Sequence, residues 1–448
     1  MRKSTQNLLL KAMFAVFLCL FNFNTLSAEP LGKKVVLDNG IVLVVSERPG
    51  VPMVVVDILI DAGSINETAE NAGLANLTAE LLTSGTKTQS AVEIAEEADF
   101  IGSSLTTTSD YDFTEIELIV LKKYLARGLH ILGDIIINPT FPQEEIEDTV
   151  SEIQGELKKN EEDPGWLAER EFLKALYVDH PYGRIAEGNE ESILRINRPD
   201  IINFHSKYYV PNGTTISIAG DITLEEAKNL IENSFGTWKK KEINRNSVPP
   251  PPALEKTKSL KLDRKVTQAN IILGHLGITR DNPDYYPLQV MNYILGGGGF
   301  SSRLVNDIRD KRGLAYSVGS TYLSRKYPGN FQVVLQTKNP SALDAVKLVL
   351  ENMRRISESE VSDEELDDAK AYLIGSLPLS IETDREVAEN MSLLEFFGLG
   401  LDYFDKYRDQ IKSVSKQDVL RVAQKYLHPD RYVLVIVGNL KEINSDKI

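Results

Sequence analysis

The sequence predicts an α+β protein of two homologous domains, each a mixed or antiparallel sheet covered by helices, and three observations carry that expectation. One unit is written twice: RPDIINFHSKYYVPNGTTISIAGDITLEE (198–226) and SVSKQDVLRVAQKYLHPDRYVLVIVGNLKEI (413–443) share a plan of helix, Tyr, Pro with a turn residue, apolar strand and Gly. Pro211 matches Pro429 and Gly220 matches Gly438, since 429 − 211 = 438 − 220 = 218. The strand into Asp61-Ala62-Gly63 likewise matches that into His275-Leu276-Gly277, 214 residues on, so a duplication of about 200 residues is the simplest cause. Strands and helices are mixed within each half but lack the regular alternation of a parallel α/β sheet. Between the halves, KKKEINRNSVPPPPALEKTK (239–258) joins charge to Pro249–Pro252, the composition of an extended, semi-rigid spacer.

The elements follow in order. Residues 1–28 read as a secretory signal: Arg2, Lys3 and Lys11 form the charged start, Ala12 to Phe21 the apolar run and Leu26-Ser27-Ala28 the cleavage site. The run is too short to span a bilayer, and Leu18 before Cys19 disfavours a lipid anchor. The mature chain is expected to be periplasmic or secreted, without a membrane span, and to fold on its core without disulfides, because Cys19, the single cysteine of the sequence, is lost with the signal. The N-terminal domain, 29–238, opens with a hairpin at Asn39-Gly40, carries a long amphipathic helix over 143–160 and closes with a capping box, Thr223 to Glu226. After the seam at 239–258, the C-terminal domain occupies 259–448. There Ser301 can cap a helix that buries Leu304 and Ile308 and ends near Arg309. Gly313 breaks it, and Leu314, Tyr316 and Val318 alternate along a strand. A helix over 341–357, a capping box from Ser362 to Glu365 and solvated acidic helix starts across 358–368 complete the chain.

Charge and composition exclude several functions. Without the three basic residues of the signal, 47 Lys plus Arg face 65 Asp plus Glu, so 47 − 65 = −18. Such a surface repels nucleic acid and anionic lipid, while a basic or neutral peptide remains compatible. The run Gly296, Gly297, Gly298, Gly299 lacks the Lys and Ser/Thr of a phosphate loop. No Gly-x-Ser-x-Gly elbow occurs, and His130, His180, His205, His275 and His428 never stand at metal-ligand spacing, which leaves them core or turn roles.

One stretch asks for a closer reading. In GLANLTAELLTSGT (73–86), Leu74, Leu77 and Leu81 form a buried helical stripe, while Asn76 and Glu80 sit four apart on a flanking face where solvent exposure is the simplest reading. The longer segment DAGSINETAENAGLANLTAELLTSGT (61–86) resembles the zinc-site segment of the pitrilysin and insulinase family of metallopeptidases, which includes the mitochondrial processing peptidase. There an inverted motif, His-x-x-Glu-His, places two imidazoles on one helix face to bind zinc, and the Glu between takes a proton from the metal-bound water. The resemblance puts Asn76 at the first His, Ala79 at the Glu and Glu80 at the second His. GELKKNEEDP (155–164) matches the segment of the third ligand and places Glu156 there, so one of four expected groups survives. Asn76, Glu80 and Glu156 offer at most a weak oxygen site, and the chain is expected to hold no zinc.

The resemblance extends along nearly the whole mature chain. NPTFPQEEIED (138–148) and YYVPNGTTISIAGD (208–221) match the N-terminal half, and LGGGGFSSRLVNDIRDKRGLAYSVGS (295–320) the C-terminal half. In active members that last segment lends an Arg and a Tyr, seven apart, to the substrate beside the zinc; Arg309 and Tyr316 occupy those positions, since 316 − 309 = 7. Both are donors suited to a developing oxyanion or a substrate carbonyl. By resemblance, Gly296 to Gly299 correspond to a substrate-contacting loop of the non-catalytic processing-peptidase subunit, although a packing turn is the simpler reading. The resemblance therefore implies a clamshell of two halves, and a zinc-motif-lacking subunit of the bacterial two-chain type. Its partner is a homologous subunit with an intact His-x-x-Glu-His motif, which holds the zinc, and its substrate is a peptide. A structural or chaperone-like peptide-binding subunit with no part in catalysis is the alternative.

Overall fold

The computed structural model describes residues 30–243 and 247–443, so the signal-like stretch 1–28 lies outside the described residues. The N-terminal sheet contains β1 (Lys33–Val36), β2 (Val42–Glu47), β3 (Met53–Ile60), β4 (Ser104–Ser109), β5 (Thr114–Leu121) and β6 (Thr214–Gly220), in the order β1-β2-β6-β3-β5-β4. The C-terminal sheet contains β7 (Lys258–Asp263), β8 (Gln268–Leu276), β9 (Ala315–Tyr322), β10 (Asn330–Lys338) and β11 (Val433–Gly438), in the order β7-β11-β8-β10-β9. Apart from the extra strand β1, the two orders are the same order. The parallel pair falls at the same place in each, β2 with β6 and β7 with β11. The repeat in the sequence is thus a repeat in topology, with Gly220 and Gly438 ending equivalent strands.

Local chemistry accounts for the elements. Gly40, at φ +91°, supplies the left-handed turn between β1 and β2 that a side chain would resist. The long helices are Gln143–Asn160 and Ala342–Glu358, as their apolar spacing predicts. The box at Ser362 is reciprocal, side chain to Glu365 amide and Glu365 carboxylate to the Ser362 amide. At Thr223 only half forms: Thr223 Oγ1 accepts from the Glu226 amide, while the Glu226 carboxylate turns to Lys122 at 3.8 Å.

The central strands read as near-continuous apolar runs because both faces of each sheet are covered. One face carries the sheet's own helices; the other carries a helix from the opposite half. Helix Pro164–Tyr177 of the N-terminal half packs on β8 and β11, with Leu167, Phe172 and Leu176 against Ile272, Val433 and Val435. Helix Asp384–Phe396 of the C-terminal half packs on β3 and β6, with Val387, Ala388 and Met391 against Val44, Val55 and Ala219. The halves therefore clasp each other reciprocally. Fully burying one such phenyl or leucyl side chain contributes about 1.5–3 kcal/mol. The proline seam also differs from a free strut: Val248 and Leu254 lie against the first of these two clusters, so the segment follows the junction.

Candidate functional site

The helix of the opening stretch is short. It runs Leu74–Glu80 and tightens into a 3₁₀ turn at Leu81–Thr83. Its N-terminus is fixed by Glu67, whose buried carboxylate accepts the Gly73 amide at 3.1 Å and also the Ala75 amide. Burial pushes that carboxyl up to about 8, against the pull of those two amides and of Arg184. Nothing in the residue spacing singled out Glu67.

Asn76 is buried, which corrects the expectation of a solvent-facing pair, and its Nδ2 donates to Glu80 Oε1 at 2.7 Å. Ala79 is fully buried. The Glu80 carboxyl is raised chiefly by burial, with the Asn76 bond opposing and the charges of Glu156, Glu187 and Glu152 adding to the rise. The fold thus brings Glu156 to Glu80, and adds two carboxylates that sequence reasoning missed. Glu152 was recoverable, one helical turn before Glu156 on the same helix. Glu187 lies on a loop and carries no periodic signal.

This place does not fit zinc. Its donors are one amide and carboxylates, with no imidazole or thiolate, and the amide is hydrogen-bonded to the very carboxylate that would share the metal. Among the described residues no three His, Cys, Asp or Glu side chains gather closely enough to hold a metal ion. Ala79 offers no base. The nearest histidine pair elsewhere, His275 and His428, has ring centroids 4.9 Å apart, but His275 Nδ1 bonds Leu276 O and its Nε2 accepts the His428 amide. Burial drives His275 down to about 3, the behaviour of a satisfied core histidine. His180 Nδ1 accepts the Tyr182 amide, and the Tyr182 hydroxyl donates to Asp112 Oδ1 at 2.6 Å. That turn pins the β4–β5 hairpin tip beside the β9–β10 tip, where Arg325 pairs with Asp110 at 2.9 Å.

The C-terminal segment is irregular where the chemistry was expected. Residues Tyr293–Gly297 and Val305–Asp310 are wound as π-helix, a form often found at functional sites. Gly296, Gly297 and Gly298 leave no room for a Cβ, which would come within 2.5 Å of Ser320 Oγ, 2.7 Å of Asn292 Nδ2 and 2.8 Å of Tyr293 O respectively. Gly299 has open space and φ +57°. Ser301 does not cap the next helix; Ser302 occupies that corner, its backbone oxygen accepting the Asn306 amide at 3.0 Å and its hydroxyl donating to Gly299 O at 2.6 Å. Leu304 and Ile308 are buried as expected.

Three arginines lie along this stretch, and they differ. Arg303 forms a two-pronged pair with Glu365 at 2.6 and 2.8 Å, and Arg312 pairs with Asp307. Arg309, between them, makes no ion pair among the described residues; its guanidinium lies over the Phe300 ring, 4.9 Å from the centroid. The Gly313 amide bonds Arg309 O and the Leu314 amide bonds Ile308 O, both at 2.9 Å, which ties the helix end to the start of β9.

Tyr316 breaks the expected alternation. Pairing passes from Ser317↔Gln336 to Ala315↔Thr337, so Tyr316 is an extra residue on β9, a β-bulge. Ala315 and Val318 both reach the core, and Tyr316 is turned outward, 73% exposed. Since β9 is the edge of its sheet, the phenol and the nearby strand edge both face outward.

A second electrostatic feature sits at the junction of the halves. Asp57, in the middle of β3, is fully buried beneath helix Asp384–Phe396, with Ser392 of that helix and Glu115 of β5 as polar neighbours. Glu117 on β5 and Ser217 on β6 stand directly opposite it in register. Burial raises the Asp57 carboxyl well above the usual carboxylate range, and the charges of Glu115 and Glu389 raise it further. Arg385, on the same helix, is bound to Glu117 at 2.7 Å and Glu389 at 3.1 Å.

Two family models match the chain: "Insulinase (Peptidase family M16)" over residues 42–190 and "Peptidase M16 inactive domain" over residues 195–373. An uncharacterized zinc protease of Bacillus subtilis is 27% identical over 406 residues, 91% of this chain and 98% of that protein. A Helicobacter pylori protein described as a non-peptidase homolog is 27% identical over 438 residues, 96% and 99% of the two chains. Among solved structures, a peptidase M16 inactive domain from Pseudomonas fluorescens superposes with a TM-score of 0.85 at 26% identity, covering 91% of this chain and 98% of that one.

Proposed function

We propose that this chain, which belongs to the M16 (insulinase) peptidase family as a member without the zinc-binding side chains, is the substrate-binding subunit of a two-chain zinc metalloendopeptidase. A homologous partner with an intact His-x-x-Glu-His motif supplies the metal and its base, and the pair acts on peptides in the periplasm or outside the cell. Arg309 and Tyr316 reach the partner's site and donate hydrogen bonds to the scissile carbonyl as negative charge develops on its oxygen.

The observation that carries this reading is the state of Arg309. Its neighbours Arg303 and Arg312 are held by carboxylates, whereas Arg309 forms no ion pair among the described residues of a strongly acidic chain. Tyr316, seven residues on, is thrown outward by a bulge that the rest of the strand does not need. A purely structural or chaperone-like subunit has no use for paired donors prepared in this way.

The test is reconstitution. The full chain is purified with a partner carrying the intact motif, and peptide turnover is measured for the wild type, Arg309→Ala and Tyr316→Phe. Each variant should lower kcat by about 100-fold, the usual effect of removing one oxyanion donor, with assembly unchanged on gel filtration. Kinetics equal to wild type in both would remove the two residues from the mechanism.

A further inference from the structure

We infer that Phe300 is a positioning residue for Arg309, and that the glycine-rich run before it exists to build its pedestal; the inference rests on the reading of Arg309 as a substrate contact. An arginine that must meet a partner's substrate needs to be held without a carboxylate, which would neutralise its charge and occupy its N–H fork. An aromatic face does this, because the ring quadrupole attracts the cation while accepting none of its in-plane N–H groups. Phe300 lies 4.9 Å from the Arg309 guanidinium and is 71% exposed, so its place is not explained by core burial.

The loop that presents it is fixed. Gly296, Gly297 and Gly298 are pressed against Ser320, Asn292 and Tyr293, and the positive φ of Gly299 turns the chain immediately before Phe300. The Ser301 and Ser302 amides bond Gly298 O and Gly299 O, at 3.2 and 3.0 Å, and the Ser302 hydroxyl adds the bond to Gly299 O. Asp307, two residues before Arg309, is engaged by Arg312 and Asn352, and the adjacent Asp310 forms no ion pair with Arg309 among the described residues. The Phe300 ring is the contact that holds the guanidinium.

The experiment compares Phe300→Leu, which keeps apolar bulk without a quadrupole, with Phe300→Trp, which keeps both. Two readouts are taken. In the chain alone, phenylglyoxal adduct formation at Arg309 is followed by peptide mass spectrometry; Phe300→Leu should raise its rate several-fold and Phe300→Trp should not. In the complex with the zinc-bearing partner, Phe300→Leu should lower kcat by about two- to fivefold, the range of an exposed cation–π contact, and Phe300→Trp should restore it. Arg309→Ala runs in parallel. If Arg309→Ala leaves turnover unchanged, the functional reading fails and the adduct rates still decide this inference. Equal adduct rates in wild type and Phe300→Leu, or equal turnover in the Leu and Trp variants while Arg309→Ala is slow, overturn it.

Discussion

Replacing Asp57 by Asn should change how stability depends on pH, and the structure gives both sign and size. Asp57 is sealed under helix Asp384–Phe396, among Glu115 and Glu117 of β5, Ser217 of β6, and Glu389, Ser392 and Arg385 of the helix. Its folded carboxyl is raised above the ordinary 3.8, so the folded chain holds a proton there that the unfolded chain has released. The stabilising contribution is complete below that ordinary value and is lost as pH rises towards the folded one, at about 1.4 kcal/mol per pH unit for one proton. Asparagine cannot ionise. It keeps a buried polar group and costs about 1–3 kcal/mol at low pH, where aspartic acid is neutral. The deficit should then shrink by about 1.4 kcal/mol for each pH unit from about pH 4.5 upward. Urea unfolding followed by the fluorescence of Trp166, which sits on the other junction helix, reads the difference directly. A deficit that stays constant from pH 4.5 to 7.5 would refute a protonated Asp57 at the junction.

Other outcomes follow from the same packing. Glu67→Gln keeps an acceptor oxygen for only one of the Gly73 and Ala75 amides, which bond different carboxylate oxygens, and so costs stability at low pH; because the Glu67 carboxyl is raised to about 8, its own stability contribution fades as pH climbs from about 4.5 to 8, and the variant should lack that decline in urea titrations. Gly274→Ala would place a methyl 2.1 Å from Phe331 O of β10 and 2.8 Å from Phe172 Cζ, so both β10 and helix Pro164–Tyr177 must give way around β8, with a loss of about 1–3 kcal/mol or more seen as a lower Tm. Glu80→Gln should stabilise the chain at neutral pH, since it removes one charge facing Glu156, Glu187 and Glu152 while leaving a partner for Asn76; an unchanged or lower urea midpoint would count against the carboxylate cluster.

The duplication was legible because it is written in punctuation: prolines, glycines and apolar runs recur at nearly fixed offsets, and the two sheets repeat one strand order. Which sheet each helix covers was not legible. Helix Pro164–Tyr177 shows an ordinary apolar face, and amphipathicity states that a face is buried without naming its partner. Tyr316 illustrates a different limit: alternation along one strand assumes a regular ladder, whereas the bulge arises in pairing with Gln336 and Thr337 of β10, later in the chain. The lost zinc positions were readable residue by residue, but the burial of Asn76 and its bond to Glu80 needed the folded helix. Asp57 is visible as the lone charge in MVVVDILI, and a charge inside an apolar strand is costly unless paired or neutral.

The account depends most on the division between a chain that binds and orients peptide and a partner that cuts it. Peptide hydrolysis and zinc content, measured together on the purified full chain alone and on its complex with a His-x-x-Glu-His subunit, test that division most directly. The chain alone should show no turnover and no stoichiometric zinc, with both present in the complex and turnover there dependent on Arg309. Zinc-dependent cleavage by the isolated chain, contaminants excluded, would contradict it.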